Sequence, residues 1–576
     1  MRLSITLVAL TLPLTLPAAV HEDQLRKHMK FYGISEEKVN AETLAKLAAA
    51  KAKAEAPETS VDERQKAYAE IVQVMGPAMM GALFPASQVQ NLAQTLARSA
   101  EYYSKLPDKK PFPTRYTPPG KLGEVKVAGK GSQSLLLIPG FNADASIFDE
   151  FMARNANRYK MVAVTLPGWG GTPPYQRPDT FNPGKLTWTK SVEQALINAI
   201  KENKLDKPVV IGNQQGGYWA ARLAATQPEL VRGAILIDTP TRQPMYFSKD
   251  GVTTPVPFEM RQQRAMTSPG TLLGDLTLRF WTDLPTTEKR LREVKGWAVP
   301  YRAATKDEER AIAMSAKAEY GRHPDAMLFQ AEYAATDLTA DLKNLKVPIL
   351  AIAPVHDDKS PQFFTLFSAQ TWEEFLLEHT GVPVTLARWY NVRSYLTEET
   401  PRELDEAVAA FAAGRPVGDR FERTFLVRPS PRAELDQMLS NTAIHINYGR
   451  PGIKGRPLAK LAPPGQVWRA GADEATTISF STPVKVEGRD VPAGKYTLFY
   501  IPGESEWTLV LNKVQTTWGS FTYRPDLDLV RIPLKPSPAE HQERMLFSFD
   551  DIEDKAGTLN LRWERVRVPV KIEAGS

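Results

Sequence analysis

The 576-residue chain contains no cysteine. This excludes disulfide bonds, thiolate metal sites, a cysteine nucleophile and lipid attachment through an N-terminal cysteine. Histidine is scarce, with seven residues in all, and none of them form a pair with metal-ligand spacing. The sequence therefore predicts no metal site, and the protein must draw its stability from its apolar cores.

Long apolar runs are absent except at the N-terminus, so no membrane span is predicted. The segment MRLSITLVALTLPLTLPAAV has one basic residue, an apolar run, and small residues at Ala18 and Ala19. This pattern is typical of a secretory signal peptide, here residues 1–19, and predicts a periplasmic or extracellular protein. The net charge of +6 is small for this length, so no nucleic-acid partner is expected.

Three regions of different character follow the signal segment. Residues 22–105 have the composition and periodicity of helices, and a proline-rich connector follows them. Between 123 and 413, five nearly continuous apolar runs alternate with helical stretches, which predicts a parallel sheet with helices on both faces. A long, mostly helical segment at about 240–345 separates the last two of these runs, at the position that a lid would occupy.

The character of the sequence changes again after a linker at 414–429. Residues 430–574 consist of short stretches of alternating polarity, separated by glycine, proline and aspartate turns. This pattern predicts an antiparallel β-sandwich. The fold class expected for the whole chain is thus α/β, followed by an all-β sandwich.

Five motifs in the α/β region stand in the order found in the α/β-hydrolase superfamily. They are LLLIPGFNADASIFDEF (135–151), VTLPGWGGT (164–172), GNQQGG (212–217), IAPVHDDKSP (352–361) and NVRSYLTEETPRELDEAVAAF (391–411). The region resembles the lidded, lipase- and esterase-like branch of that superfamily. The resemblance implies a site built from a nucleophile, a histidine and an acid. It assigns Gln214 to the nucleophile position, Ser394 to the histidine position and Asp357 to the acid position.

The resemblance also implies the remaining parts of such a site. The backbone N–H groups of Phe141 and Gln215 would form the oxyanion hole. Asp238 ends the strand after the nucleophile turn, where it either supplies the acid, as in some relatives, or caps the first turn of the lid. His323, in the lid, could reach over the pocket or be an ordinary surface residue.

Two of the three triad positions carry residues that differ from the family pattern, and this determines the function that we expect. The Gln214 amide has no proton to give up near neutral pH, and the Ser394 hydroxyl cannot act as a base. We therefore expect a degenerate hydrolase that binds a small or envelope-derived ligand with little or no turnover. The alternatives are a weak ester or amide hydrolase using Asp357 or Asp238, and a binding protein centred on the β-domain. GNQQGG lacks both the dinucleotide and the phosphate-loop patterns, so no cofactor is expected.

Residues 430–574 resemble a family of bacterial exported β-domains of unknown function, through INYGRPGIKGR (446–456) and VPAGKYTLFYIPG (491–503). Arg450, Trp468, Arg469 and Glu474 are the candidate residues for a polar ligand pocket beside an aromatic ring. The competing interpretation is a buried arginine–carboxylate network with tryptophan packing, which would stabilise the sandwich. The partner of this domain is not predicted by the sequence.

Overall fold

The computed structural model describes the central sheet of the α/β region, most of the β region and short pieces of the lid. Continuous stretches cover residues 116–140, 143–176, 187–242, 336–355, 365–422, 428–520 and 522–575, and shorter pieces include 39–55 and 308–319. The predicted signal peptide, residues 1–19, lies outside the described residues. In the N-terminal region the described part contains helix α1 (Ala41–Glu55), in agreement with the helical composition.

A seven-stranded sheet forms the centre of the α/β region. Its strands are β1 (Val125–Ala128), β2 (Gln133–Ile138), β3 (Tyr159–Val164), β4 (Val209–Asn213), β5 (Gly233–Ile237), β6 (Ile349–Val355) and β7 (Val384–Tyr390). They lie in the order β7-β6-β5-β4-β2-β3-β1. All neighbours are parallel except β1, which is antiparallel to β3.

Helices cover both faces of this sheet. They are α2 (Asp149–Asn155), α3 (Thr187–Glu202), α4 (Gln215–Thr226), α5 (Glu308–Glu319), α6 (Thr339–Leu342), α7 (Thr365–Glu378), α8 (Leu396–Glu399) and α9 (Pro401–Ala412). One apolar layer contains Trp188, Trp219 and Trp372. The other layer contains Phe151 and Trp389. The predicted parallel sheet with two helical layers is confirmed.

Two strands and part of the lid differ from the sequence expectation. Strand β1 is short and largely exposed, and β7 alternates between buried and exposed residues at the sheet edge, so neither forms a continuous apolar run. In the lid, the described residues include helix α5 but also an antiparallel pair, Tyr246–Lys249 with Val252–Pro255. A second short pair joins Phe280–Trp281 of the lid to Lys110–Pro111 of the connector.

The C-terminal region is a sandwich of two antiparallel sheets, as predicted. Its strands are β8 (Arg432–Leu439), β9 (Thr442–Gly449), β10 (Thr476–Phe480), β11 (Val484–Val486), β12 (Arg489–Val491), β13 (Gly494–Ile501), β14 (Trp507–Asn512), β15 (Asp528–Leu534), β16 (Ser537–Asp550) and β17 (Ala556–Ala574). Their orders are β8-β9-β10-β13-β14-β15 and β12-β11-β17-β16. A short helix, α10 (Leu458–Leu461), lies between β9 and β10.

Buried polar contacts join the sandwich to helix α7. The Glu373 carboxylate accepts hydrogen bonds from the backbone N–H groups of Gln515, at 3.1 Å, and Thr516, at 3.0 Å. It also pairs with Arg388 of strand β7. Because Glu373 is 8% exposed, its charge depends on these partners rather than on water.

Two further contacts extend this junction along α7. Gln370 exchanges hydrogen bonds with Thr522, whose hydroxyl donates to Gln370 Oε1 at 2.8 Å and whose carbonyl accepts from Nε2 at 3.2 Å. Glu374 pairs with Arg242 of the α/β region and lies 3.5 Å from Arg524 of the β region. Residues of both regions therefore contact the buried carboxylates of Glu373 and Glu374 on helix α7.

The substitution Glu373→Ala should lower the free energy of unfolding by about 3 kcal/mol, because it leaves Arg388 and two backbone donors without their acceptor. Urea denaturation followed by tryptophan fluorescence measures this change. Glu202→Ala is the matched control, since Glu202 is also a helical glutamate but its pair with Lys121 is exposed, and such pairs contribute less than about 1 kcal/mol. Equal effects of the two substitutions would contradict the proposed importance of the junction.

Candidate functional site

The sharp turn between β4 and α4 places Gln214 at the carboxyl edge of the sheet. Gln214 has φ 46° and ψ −114°, a sparsely populated conformation for a non-glycine residue. Its N–H donates to the carbonyl of Ile237 at 2.7 Å. A Cβ at Gly216 would lie 2.4 Å from the carbonyl oxygen of Ile138, so only glycine fits there. This is the geometry of a nucleophile turn with an amide side chain at its tip.

Three side chains that are distant in sequence meet beside this turn. The Ser394 hydroxyl donates a hydrogen bond to Asp238 Oδ2. The Gln214 side chain forms a hydrogen bond with the same carboxyl group. The side chains at the nucleophile and base positions, Gln214 and Ser394, are thus both hydrogen-bonded to Asp238.

Neighbouring polar groups fix this arrangement. Asn213 Nδ2 donates to the carbonyl of Ser394 at 2.5 Å, which ties the Ser394 segment to the turn. The Thr239 hydroxyl donates to the carbonyl of Gln214 at 2.8 Å. Trp372 Nε1 in turn donates to the carbonyl of Thr239 at 2.7 Å. The sequence analysis missed these supporting residues, although Asn213 and Thr239 directly adjoin the two residues that it singled out.

Burial raises the pKa of Asp238 from its ordinary value of 3.8 to about 7. The hydrogen bonds from Ser394 and Gln214 act in the opposite direction, because they stabilise the charged form. Burial is the larger effect, so the carboxyl group is close to half protonated at neutral pH. A carboxyl group with this pKa can either give or take a proton under physiological conditions.

The remaining residues predicted for the site are partly described. Phe141 and Asp357 lie outside the described residues, as do His21, His28, His323 and His356. Gln215 begins helix α4, directly after the turn. Its side chain is 1% exposed, and its amide atoms have no hydrogen-bond partner within the described stretches.

The three described histidines have partners elsewhere. His379 stacks on Phe375, with ring centroids 4.7 Å apart. His445 lies 2.7 Å from Asp436, and His541 lies 3.6 Å from Glu543. Within the described part of the chain, no group of three potential metal ligands occurs and no helix is long and apolar enough to cross a membrane.

The candidate residues of the β-domain have separate roles. Trp468 is 5% exposed and stacks on Trp563 at 5.4 Å in the sandwich core. Arg450 Nε donates to the carbonyl of Met545 at 2.9 Å. Burial lowers the pKa of Arg469, against the opposing charges of Asp473 and Glu474.

Glu474 has the cationic neighbours that the alternative interpretation requires. Its carboxylate lies 3.2 Å from Arg428 and 3.6 Å from Arg432. Glu474 also lines a pocket at the edge of the sandwich. The contacts of these residues therefore favour tryptophan packing and an arginine–carboxylate network over a single pocket formed by all four side chains.

The sheet topology, the turn and the site define an α/β-hydrolase fold joined to a β-sandwich. Residues 135–407 match the alpha/beta hydrolase family, and residues 430–572 match a family of proteins of unknown function (DUF2911). The chain thus combines a region of the alpha/beta hydrolase family with a region of the second family.

Curated relatives share only part of the α/β region. A 1-acylglycerol-3-phosphate O-acyltransferase from Arabidopsis thaliana is 29% identical over 114 residues, which are 19% of this chain and 26% of the relative. A pimeloyl-[acyl-carrier protein] methyl ester esterase from Yersinia pseudotuberculosis is 25% identical over 122 residues, which are 21% of this chain and 41% of the relative. The aligned part therefore spans less than half the length of either relative.

Solved structures with a similar chain path include MenH from S. aureus, with 13% identity and a TM-score of 0.37 over 50% of this chain and 98% of that one. The enol-lactonase from Burkholderia xenovorans LB400 has 17% identity and a TM-score of 0.34, over 50% of this chain and 96% of that one.

The raised pKa of Asp238 predicts a specific pH dependence of stability. Between pH 3.8 and about 7 the folded protein keeps a proton that the unfolded chain has lost. The folded state therefore loses stability as the pH rises through this window, by up to about 4 kcal/mol for this group. Urea denaturation at a series of pH values, with wild type and Asp238→Asn compared at each pH, measures this contribution.

Wild type and Asp238→Asn contain the same other buried carboxyl groups, so the contributions of those groups to the pH dependence of stability cancel in the comparison. The stability of wild type relative to Asp238→Asn should decrease from pH 4 to 7 and then level off. A difference that stays constant across this range would show that Asp238 has an ordinary pKa.

Proposed function

We propose that the α/β-hydrolase region binds a small ligand in its lidded site with little or no turnover. The observation that carries this proposal is the hydrogen-bonded group of Gln214, Asp238 and Ser394. A hydrolase of this family needs a nucleophile and a base that exchange one proton. Here an amide and a hydroxyl stand at those two positions, and both are engaged with the carboxyl group.

The same side chains suit ligand binding. Gln214 stands at the tip of the turn, and its side chain can donate through Nε2 and accept through Oε1. A Cβ on Gly140 would lie 2.9 Å from Gln214 Oε1, so this oxygen faces the loop that follows β2. In family members that loop contributes to the binding of a carbonyl oxygen.

An acyl ester is the ligand class to test first. The names of the two curated relatives refer to an acyl group transfer and to a methyl ester esterase. A pocket that recognises an ester but lacks the triad would retain the compound instead of cleaving it. Loss of triad members reduces turnover by about 10⁴ to 10⁶, which is consistent with binding as the dominant activity.

A second candidate function is supported by the pKa of Asp238. Near pH 7 a carboxylate with this pKa could take a proton from water and direct the water at an ester. Such an enzyme would use Asp238 as its base and need no side-chain nucleophile. Its rate should follow the deprotonation of Asp238 and rise through pH 7.

Incubation of the purified protein with short- and long-chain acyl esters distinguishes the two functions. We expect no product above the buffer rate, together with ligand-dependent thermal stabilisation by at least one ester, which Gln214→Ala should weaken. Hydrolysis that Asp238→Asn abolishes would replace the binding proposal with the second function. Hydrolysis unaffected by Asp238→Asn and Gln214→Ala would contradict both.

The double variant Gln214→Ser with Ser394→His should gain ester hydrolysis. Serine would then stand on the strained turn, and the histidine would occupy a position from which residue 394 already bonds to Asp238. We expect a rate at least about 100-fold above the parent, which is a small part of what a complete triad contributes. Initial rates with a p-nitrophenyl ester measure this gain.

Each single variant is the control for this gain. Gln214→Ser lacks a base and Ser394→His lacks a nucleophile, so neither should exceed the parent by more than a few-fold. Adding Asp238→Asn to the double variant should remove most of the gain, because the histidine would lose its orienting acid. A double variant that folds but stays inactive would contradict the assignment of positions 214 and 394.

A further inference from the structure

A second polar pocket lies at the junction of the two regions, separate from the Gln214 site. Its volume is about 300 Å³, within the lower range of small-molecule sites. The sandwich supplies its floor from strands β8, β9 and β10, where Glu434 pairs with Asn447 and Asn447 with Thr477. Tyr390 of strand β7 and Glu422 of the linker also line the pocket.

Part of the pocket lining is held in place by hydrogen bonds. Asn447 Nδ2 donates to Glu434 Oε1 at 2.7 Å, and Arg432 donates to Asn447 Oδ1. The segment with Gln515 and Thr516 is fixed by its backbone hydrogen bonds to Glu373. Glu434 is thus oriented before a ligand binds, which lowers the entropic cost of binding at this side chain.

Charge and hydrogen-bonding capacity indicate the chemistry of the ligand. Three carboxylates line the pocket, together with the cations of Arg432 and Lys495. Arg432 and Glu474 lie 3.6 Å apart and offset one another. An anion would face the other two carboxylates, at Glu422 and Glu434, whereas a hydroxyl group can donate to a carboxylate and accept from Lys495.

An aromatic residue also lines the pocket. Tyr390 of strand β7 is half-buried, and aromatic side chains are surfaces on which the C–H face of a sugar ring can pack.

We propose that the junction pocket binds a small, uncharged polyhydroxylated molecule of monosaccharide size. Its hydroxyl groups donate to Glu434 and Glu422 and accept from Lys495. This proposal does not depend on the function of the Gln214 site. It assigns a ligand-binding role to the β region together with strand β7.

Titration of the full chain with glucose, galactose and N-acetylglucosamine tests the proposal, with binding measured by saturation-transfer NMR and calorimetry. Ethanolamine and acetate serve as cationic and anionic probes. We expect at least one sugar to bind and Glu434→Gln to weaken it about tenfold or more, since a charged hydrogen bond is lost. The matched control is Glu504→Gln, at an exposed turn of the same sandwich, which should leave binding unchanged.

A second variant separates binding from folding. Glu422→Gln changes one exposed side chain of the lining, so the protein should unfold at the same urea concentration as the parent, yet bind the sugar several-fold more weakly. The proposal is overturned if no sugar binds, if only ethanolamine or acetate binds, or if sugar binding is indifferent to both Glu434→Gln and Glu422→Gln.

Discussion

The strained backbone at Gln214 is the constraint around which the α/β site is arranged. A residue with φ 46° and ψ −114° costs on the order of 1–3 kcal/mol and persists only where its surroundings hold it. Here the N–H is bonded to Ile237 and the carbonyl accepts from Thr239. Close packing at Gly216 excludes a side chain. The turn therefore has the geometry of a nucleophile turn although it carries an amide.

The sequence predicted the fold and the positions at the turn because both depend on local pattern. Continuous apolar runs marked the buried strands, and GNQQGG marked the turn between β4 and α4. The edge strands β1 and β7 were missed because exposed edge residues interrupt the apolar pattern. The hydrogen bond between Ser394 and Asp238 spans 156 residues. No local pattern encodes it, and for this reason the sequence left the role of Asp238 open.

The β region supplies hydrogen-bond partners to helix α7, which supports the Gln214 site, and it also lines the junction pocket. Gln515 and Thr516 bind Glu373, and Trp372, the preceding residue of α7, donates to the carbonyl of Thr239. Glu373 and Trp372 are adjacent on one helix, so a displacement of α7 would change contacts in both places. The sequence analysis treated the two regions as separate units, because contacts between distant segments leave no periodic signal.

Burial of charge explains why this junction should resist separation. Glu374 is 2% exposed, and burial raises its pKa despite the nearby cations of Arg242 and Arg524. Without the β region, Glu374 would lose Arg524, Glu373 would lose two backbone N–H donors, and Gln370 would lose both of its hydrogen bonds to Thr522. Arg388 and Arg242 would remain beside the two carboxylates, but the loss of partners from buried charged groups costs a few kcal/mol, a large part of the stability of an ordinary domain. The α/β-hydrolase region of this chain is thus adapted to the presence of its β-sandwich.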